Sequence, residues 1–409
     1  MSFHVLIAGG GIGGLCLAQG LRRAGISCAV YEAAPGVVRA GYRLHMNGAG
    51  GAALRQCLPE HLFELYMQTS RKPPRRECFV ILDHLGNEVG TRPHIGPPND
   101  PERPHTAVNR RTLRQIMCEG ITDVLHFGHT LTGYEIVEDG VRALFADGSS
   151  ATGDVLVAAD GINSAIRAQL LPGVPVLDTG LRGAYSLAPV DEALMAEVPE
   201  ALNDGFVIAI GPDGTTLAFG LFDPRRPIEE AVADLAPGAA VDPVSPYMMV
   251  NLGAQAGSPA ASALPDLFTQ TPQQLHDLMR AATRDWAPGI RKLVDRVEIA
   301  SIFPVSMRHL EPAEPWAPSR VTLLGDAIHA MPPTFGAGAN SALRDAAALA
   351  TELEHAAHGR KDLLSAIGDY EDDMRAQVFP ILRASADPRA FRSDFLPDDV
   401  QASRKEPSA

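Results

Sequence analysis

The chain opens on a short apolar run, FHVLIA at 3–8, that gives way to glycines and then to LCLAQGLRRAG. In that second stretch Leu15, Ala18 and Leu21 recur at helical spacing, and Gly25 marks the stop. CAVYE at 28–32 follows as a strand, so residues 1–32 predict a βαβ unit with parallel strands and a right-handed crossover. Residues 68–104 are rich in Pro, Arg and Gly and predict strands and irregular loops, after which NRRTLRQIMCEGI reads as a helix. From 131 to 161 apolar stretches alternate with DG turns, the pattern of a meander. Its last strand, DVLVAA, is apolar enough to be buried on both faces and to rejoin the first sheet.

From about 174 to 310 the pattern changes. FVIAI, GPDG and TTLAFGLF predict a β-hairpin and PYMMVNLGA a further strand, together a second, antiparallel sheet. The segment 271–295 is helical with a break at Pro288, VTLLGD near 321 is again a buried strand, and helices follow from about 341 and over 362–379. The end, QASRKEPSA, is polar, with the composition of a frayed terminus.

Composition narrows the function classes. With 409 residues, 45% hydrophobic and 21% charged, the chain suits one large or two interlocked globular domains. A formal net charge of −14 without a Lys/Arg-rich run argues against nucleic acid as a partner. Five cysteines without CxxC spacing indicate neither a disulfide framework nor a metal site. No apolar stretch reaches about 18 residues and the first run reads as a strand, so a cytoplasmic protein that neither crosses a membrane nor is exported is expected.

The first chemical signal is GGGIGG, where Gly9, Gly11 and Gly14 satisfy GxGxxG between a strand and a helix. The first glycine permits the tight turn, the second lets the backbone approach a pyrophosphate, and the third allows close helix packing. Glu32, ending the second strand, is placed to accept hydrogen bonds from an adenosine ribose, and its charge disfavours a 2′-phosphate there. GAGGAA at 48–53 has a similar look, but no acidic residue closes a second βαβ unit after it. It reads as a helix start that faces the cofactor.

Two further motifs follow in order: ADGINSAIR, of the form DGxxSxxR, with Asp160, Gly161, Ser164 and Arg167, and GDAIHAMPPTFGAGANSALRDA, with Gly325, Asp326, His329, Pro333, Gly338, Asn340 and Asp345. Together with GxGxxG this set resembles the single-component FAD-dependent aromatic hydroxylases typified by p-hydroxybenzoate hydroxylase and salicylate hydroxylase, over residues 3 to about 350. The resemblance implies an α/β fold: a Rossmann-like FAD-binding domain from 1–173 and 311–385, interleaved with an antiparallel β-sheet substrate domain at 174–310. Embedded substrate-facing strands are expected at about 68–108 and a polar tail at 386–409. It also implies that Asp326 meets the FAD ribityl chain and that Gly338, Ala339 and Asn340 offer helix-start N–H groups to the flavin. Pro333 would stand beside the C4a edge, Arg110 would contact FAD, and Asp160 and Gly161 would serve FAD and the transient nicotinamide. The chain departs from the family at Ala337, where a Gln or Lys is common, and at Phe335, which is bulkier than the usual glycine.

Other candidates are weighed on their chemistry. Arg43 and His45, in GYRLHMN, fall where the resemblance places groups near the isoalloxazine, Arg43 as a flavin contact and His45 for acid/base work. Arg182 and Tyr185 begin the inserted sheet and are candidates to face substrate. His329 reads as structural, and Tyr247, Met248, Met249 and Trp286 as core, with alternate ones available to line an apolar pocket. The implied activity is that NADPH or NADH reduces FAD, and O₂, through a C4a-hydroperoxyflavin, hydroxylates an aromatic or polyketide-like small molecule. The alternatives are an FAD-dependent dehydrogenase, epoxidase or Baeyer–Villiger enzyme, and, in another class, a ligand-sequestering flavoprotein without turnover. A flavin halogenase is disfavoured because its WxWxIP signature is missing. A monomer or homodimer is expected, without the thioredoxin-like C-terminal domain of larger phenol hydroxylases.

Overall fold

The computed structural model describes residues 3–37, 41–97, 99, 101, 104–387 and 389–390. A five-stranded parallel sheet runs in the order Val321–Leu323, Val155–Ala158, His4–Ala8, Ser27–Glu32, Leu125–Phe127. Val5 to Ala8 and Val155 to Ala158 are inaccessible to solvent. That is the burial a parallel sheet covered on both faces imposes, and it is why these strands read as continuous apolar runs. Between the third and fourth strands in this order lies the helix Ile12–Arg23, ended by Gly25 at φ 73°, so the expected βαβ unit is present.

That helix is more enclosed than its spacing predicts, since every residue from Ile12 to Leu21 is buried. The long helix Gly338–Ala357 packs against it, and small residues make the approach possible: a Cβ on Gly20 would stand 2.9 Å from the Ala350 Cβ. The glycine turn is equally tight. Gly9 adopts φ 102°, and a Cβ there would meet the Ala159 carbonyl oxygen at 2.3 Å; one on Gly14 would meet the Gly9 carbonyl oxygen at 2.0 Å.

The predicted meander forms a three-stranded antiparallel sheet of Leu131–Val137, Gly140–Phe145 and Ser150–Gly153. The largest sheet has the order Phe303–Leu310, Val176–Tyr185, Tyr247–Ala254, Thr215–Phe222, Phe206–Ile210, Phe79–Asp83, Glu88–Arg92, with Leu187–Pro189 also paired to Tyr247–Ala254. One pairing departs from the antiparallel expectation: Phe206–Ile210 runs parallel to Phe79–Asp83. These two strands are far apart in sequence, so no hairpin turn reverses the chain between them. A two-stranded antiparallel ribbon, Arg43–Met46 with Thr106–Asn109, completes the strands.

One expected helix break is present and one helix end differs. The break in 271–295 separates Pro272–Ala282 from Pro288–Asp295, with Pro288 opening the second helix, where its missing N–H leaves no bond unmade. The last helix, Leu363–Ala386, continues through Pro380. Most of the expected polar tail, residues 391–409, lies outside the described residues. Apolar side chains gather into one large core around the parallel sheet and another behind the antiparallel one, the latter holding Met248 and Trp286. Among the described residues no helix is long and apolar enough to cross a membrane.

One buried acid ties stability to pH. Glu371 is inaccessible, accepts a hydrogen bond from the Thr322 hydroxyl at 2.8 Å, and is pushed by burial from its ordinary value of 4.5 up to about 7. The folded state therefore holds this proton more tightly than the unfolded chain, and stability declines as pH rises from about 4.5 to about 7 and is level above that. Glu371→Gln keeps the acceptor and removes the charge. It is expected to exceed the parent by about 2–3 kcal/mol at pH 8, with the gap closing towards pH 5, measured from urea midpoints; a gap independent of pH would contradict this account.

Candidate active site

Between the parallel sheet's carboxyl ends and the concave face of the large sheet lies a cleft of about 420 Å³. One side is formed by Gly11, Ile12 and Gly13 at the first helix start, Ala159 and Gly161, Arg110, Leu324 to Asp326, and the segment from Met331 to Ala339. The other side comes from the large sheet: Phe79, Tyr185, Phe206, Ile208, Thr216 and Met249 among others. Tyr42 to His45 and Arg92 to Ile95 close the space between them. Of the residues singled out in the sequence, Gly11, Arg43, His45, Arg110, Gly161, Asp326, Pro333, Gly338 and Ala339 line this cleft, as do Tyr185 and Met249.

Two helix starts open into it without a capping side chain. Gly11 precedes Ile12–Arg23 and Ala337 precedes Gly338–Ala357; neither contributes a side-chain hydrogen bond, and neither helix has an acidic residue in its first turn. The N–H groups of such a first turn have no intrahelical acceptor, and the helix dipole gives them a partial positive charge. They fit an acceptor-rich group: the pyrophosphate of a dinucleotide at the first helix and the pyrimidine carbonyls of a flavin at the second.

The residues behind the cleft hold its walls. Glu32 accepts from the N–H groups of Gly10 and Ala34, both at 2.9 Å, while Arg114, buried, donates to the Gly10 carbonyl at 2.6 Å and stands 3.6 Å from Glu32. Arg114 went unremarked in the sequence, although its place four residues after Arg110 on one helix was a usable signal. In the second motif Ser164 caps the helix Ala165–Leu170 by accepting from the Arg167 N–H, and Arg167 donates to the Ala327 carbonyl at 3.0 Å, joining the second motif to the third. Asp160 stands outside the lining, with one buried carboxylate oxygen lacking a partner, and burial raises its pKa. His329 and Asp345 form a fully buried pair at 2.5 Å; burial opposes the charge on His329, but the adjacent carboxylate outweighs it and raises the pKa. That is the structural role expected for His329.

Asn340 does not point its amide at the cleft. Its Oδ1 accepts from the Asn47 N–H at 2.9 Å and its Nδ2 donates to the carbonyls of His45 and Gly336 at 2.9 and 3.0 Å. The GAGGAA segment is thereby explained: a Cβ on Gly50 would stand 2.2 Å from Asn340 Oδ1, and residues 48–53 pack on the long helix and line none of the cleft.

One expectation needs correction. Arg182 lies outside the cleft, forming an exposed pair with Asp178 at 2.8 Å, because the strand is irregular between these two residues and turns the guanidinium to the surface. Arg43 is buried and committed to the carbonyls of Gly205 and Leu221, at 2.5 and 3.2 Å; burial lowers it to about 9. Its guanidinium pins the ribbon strand to the large sheet.

His45 belongs to a cluster that the sequence did not disclose. Its ring stacks on His94 with centroids 4.0 Å apart, and both face Glu77, at 3.8 Å from His45 Nδ1 and 3.2 Å from His94 Nε2. All three side chains are 6–7% exposed, and neither ring nitrogen of His45 has a hydrogen-bond partner. Burial first, then His94 and Arg43, hold His45 well below the usual imidazole value, which favours the neutral ring. The three present potential metal ligands within 4.8 Å of one another. Arg43 and Arg71, however, already outweigh the single Glu77 charge and oppose a cation. Glu77 and His94 sit in the Pro- and Arg-rich stretch that reads as irregular, where no periodicity marks them.

A model of the FAD binding domain family matches residues 268–381. The dual O-methyltransferase/FAD-dependent monooxygenase elcB of Phaeosphaeria nodorum is 31% identical over 95% of this chain, which spans 44% of that protein, less than half its length. The aurachin C monooxygenase/isomerase of Stigmatella aurantiaca is 28% identical over 85% of this chain and 79% of its own. A crystal structure from Photorhabdus luminescens subsp. laumondii, assigned as an FAD containing monooxygenase, is 31% identical, covers 97% of this chain and 100% of its own, and superposes with a TM-score of 0.79. With the cleft built as described, the chain belongs to the FAD-dependent monooxygenases of the p-hydroxybenzoate hydroxylase type.

Proposed function

We propose that this protein is an FAD-dependent monooxygenase that uses NADPH or NADH and O₂ to hydroxylate an aromatic or polyketide-like small molecule. The observation that carries the reading is the convergence of two uncapped helix starts and Asp326 on one cleft whose opposite wall is the apolar face of the large sheet. On this reading residues 1–173 and 311–385 form the FAD-binding portion and 174–310 the inserted sheet, joined by the strands from 79 to 92. Bound FAD supplies hydride acceptance and oxygen activation.

The chain's own groups then have separate tasks. Backbone N–H groups at Gly11 and at Gly338 and Ala339 hold the two ends of the cofactor, with Gly9, Gly14, Glu32 and Asp160 shaping the dinucleotide turn behind them. Asp326 and Arg110 fix it from the sides, and Gly161 leaves room for the nicotinamide. Pro333 sets the loop beside the ring, and Asn340 orients that loop. His45 stands in the lining as a neutral imidazole, and Phe79, Phe206, Ile208 and Met249 exclude water around it. Five unpaired cysteines, four of them buried, suit a cytoplasmic protein.

The glycine turn separates cofactor binding from folding. A Cβ on Gly11 has no neighbour closer than 4.0 Å and its φ of −74° suits any residue, whereas one on Gly14 strikes backbone. Gly11→Val is expected to fold with a thermal midpoint near the parent's yet lose FAD affinity by at least tenfold, while Gly14→Ala loses stability itself. Flavin retention on desalting and calorimetric scans of the flavin-free proteins decide this. The activity is tested by isotope: with an accepted aromatic, the FAD-loaded protein is expected to oxidise NADPH or NADH and place one ¹⁸O atom from ¹⁸O₂ in the product. H₂O₂ equal to the nicotinamide consumed, with every aromatic tried, would contradict oxygen transfer. Tight ligand binding without any nicotinamide oxidation would favour sequestration.

A further inference from the structure

The wall that the large sheet gives to the cleft is apolar on one side and polar on the other. Strand pairing sets Ile208 beside Ala218 and Ala218 beside Asn251. The pairs Ala184 with Leu252 and Leu187 with Met249 bracket the next position and set Tyr185 opposite Asn251. Ile208, Ala218, Asn251 and Tyr185 all line the cleft, so this row crosses the wall with its smallest side chain in the middle. Asn251 is 6% exposed, and only half of its amide is committed. The Val250 N–H donates to the Ser186 carbonyl at 2.9 Å, but the return bond of the ladder is replaced: the Ser186 hydroxyl donates to the Val250 carbonyl, and the Ser186 N–H donates to Asn251 Oδ1 at 3.2 Å. Only the amide oxygen can meet an N–H, so this bond fixes which end of the group faces the cleft. That end is Nδ2, which can only donate. It bonds to no described residue and, unlike the ring nitrogens of His45, keeps accessible surface. The Tyr185 hydroxyl is likewise unbonded and accessible, and burial, then Tyr42, raises its pKa, so it keeps its proton. Side chains opposed across antiparallel strands stand about 5 Å apart at Cβ, so both donors serve the same part of the cleft.

We propose that Asn251 determines specificity in this cleft by donating, through Nδ2, to the carbonyl oxygen of an uncharged aromatic ketone, quinone or lactone. The inference rests on the monooxygenase reading and deepens it by naming the polar group the substrate carries. A carbonyl oxygen has two lone pairs and no hydrogen, so it can take Nδ2 and the Tyr185 hydroxyl together and leave neither donor unused. Ala218 leaves room for the ring that bears it, and Phe206 and Ile208 supply apolar surface on the far side of that room. A ligand of the same shape without an acceptor takes water from Nδ2 and returns nothing. That unpaired donor is the ground on which a polar site rejects an analogue.

The test uses the FAD-loaded protein and three pairs that differ by one carbonyl: 1-tetralone and tetralin, 4-chromanone and chroman, 9-fluorenone and fluorene. Binding is measured at pH 7.5 by calorimetry and by perturbation of the flavin absorption. At least one ketone is expected to bind about tenfold or more tightly than its partner. Asn251→Leu, of similar volume, is expected to erase that preference by weakening the ketone while leaving the partner within about threefold. Tyr185→Phe keeps the ring contacts with Tyr42 and Phe303 and is expected to remove part of the preference. Equal affinity in every pair, no binding of any ketone, or an undiminished preference in Asn251→Leu overturns the proposal. Should Asn251→Leu fail to fold, Tyr185→Phe decides, and an unchanged preference there overturns it. Absence of the preference with flavin bound and turnover intact removes only the carbonyl assignment; a protein that takes up no flavin removes the monooxygenase reading and this inference with it.

Discussion

The cleft depends on one amide. Asn340 sits in the first turn of the long helix Gly338–Ala357 and makes three bonds to two segments: to the N–H of Asn47 and the carbonyl of His45, and to the carbonyl of Gly336. Those bonds fix, in one place, the strand that carries His45, the helix that begins at Gly48 and the loop that carries Pro333. The group is buried, so its bonds compete with no solvent, and a side chain without both donor and acceptor would leave buried backbone groups unpaired. Gly50 has no side chain because that amide occupies the space. Two features that look independent in the sequence, a glycine-rich helix start near 50 and an asparagine near 340, are thus halves of a single contact.

The same economy of backbone groups explains the two ends of the cleft. Long helices normally begin on a Ser, Thr, Asp or Asn that accepts from the first N–H groups. Several helices here do: Asn47, Asn109, Ser164, Thr271 and Asp362 cap theirs, the last of them the longest. The two that open on the cleft, at Gly11 and Ala337, do not. Their donors are left for a ligand, and the steric room is kept by small residues, Gly11, Gly13, Gly338 and Ala339.

How much of this was legible follows from what leaves a local mark. The parallel sheet was, because strands buried on both faces must be apolar throughout, as VLIA and VLVA are. Glycines at 9, 11 and 14 were, because a close backbone approach excludes side chains at fixed spacing. The parallel pairing of Phe206–Ile210 with Phe79–Asp83 was not, since register between distant strands depends on the whole chain path. Nor were Glu77, His94 and Arg92: they lie in a stretch whose prolines and glycines hide any period, and their significance comes from burial. Arg43 and Arg182 end in opposite surroundings. One is drawn into the interior by two carbonyls and the other is held outside by Asp178, and nothing in their neighbouring residues distinguishes the two outcomes.

The chain's net charge of −14 makes the interior arrangement more telling. FAD and NAD(P)H are anionic, so the surface field of an acidic protein repels both at long range. Screening at physiological salt confines that repulsion to about 8 Å, and what decides binding is the potential inside the cleft. There the low dielectric strengthens each helix start and each buried guanidinium. Arg92 touches both walls of the cleft. Its Nη2 holds the Thr334 carbonyl of the loop that carries Pro333, and its flat face rests on Phe79 of the large sheet. One buried side chain thus ties the loop that carries Pro333 to the large sheet.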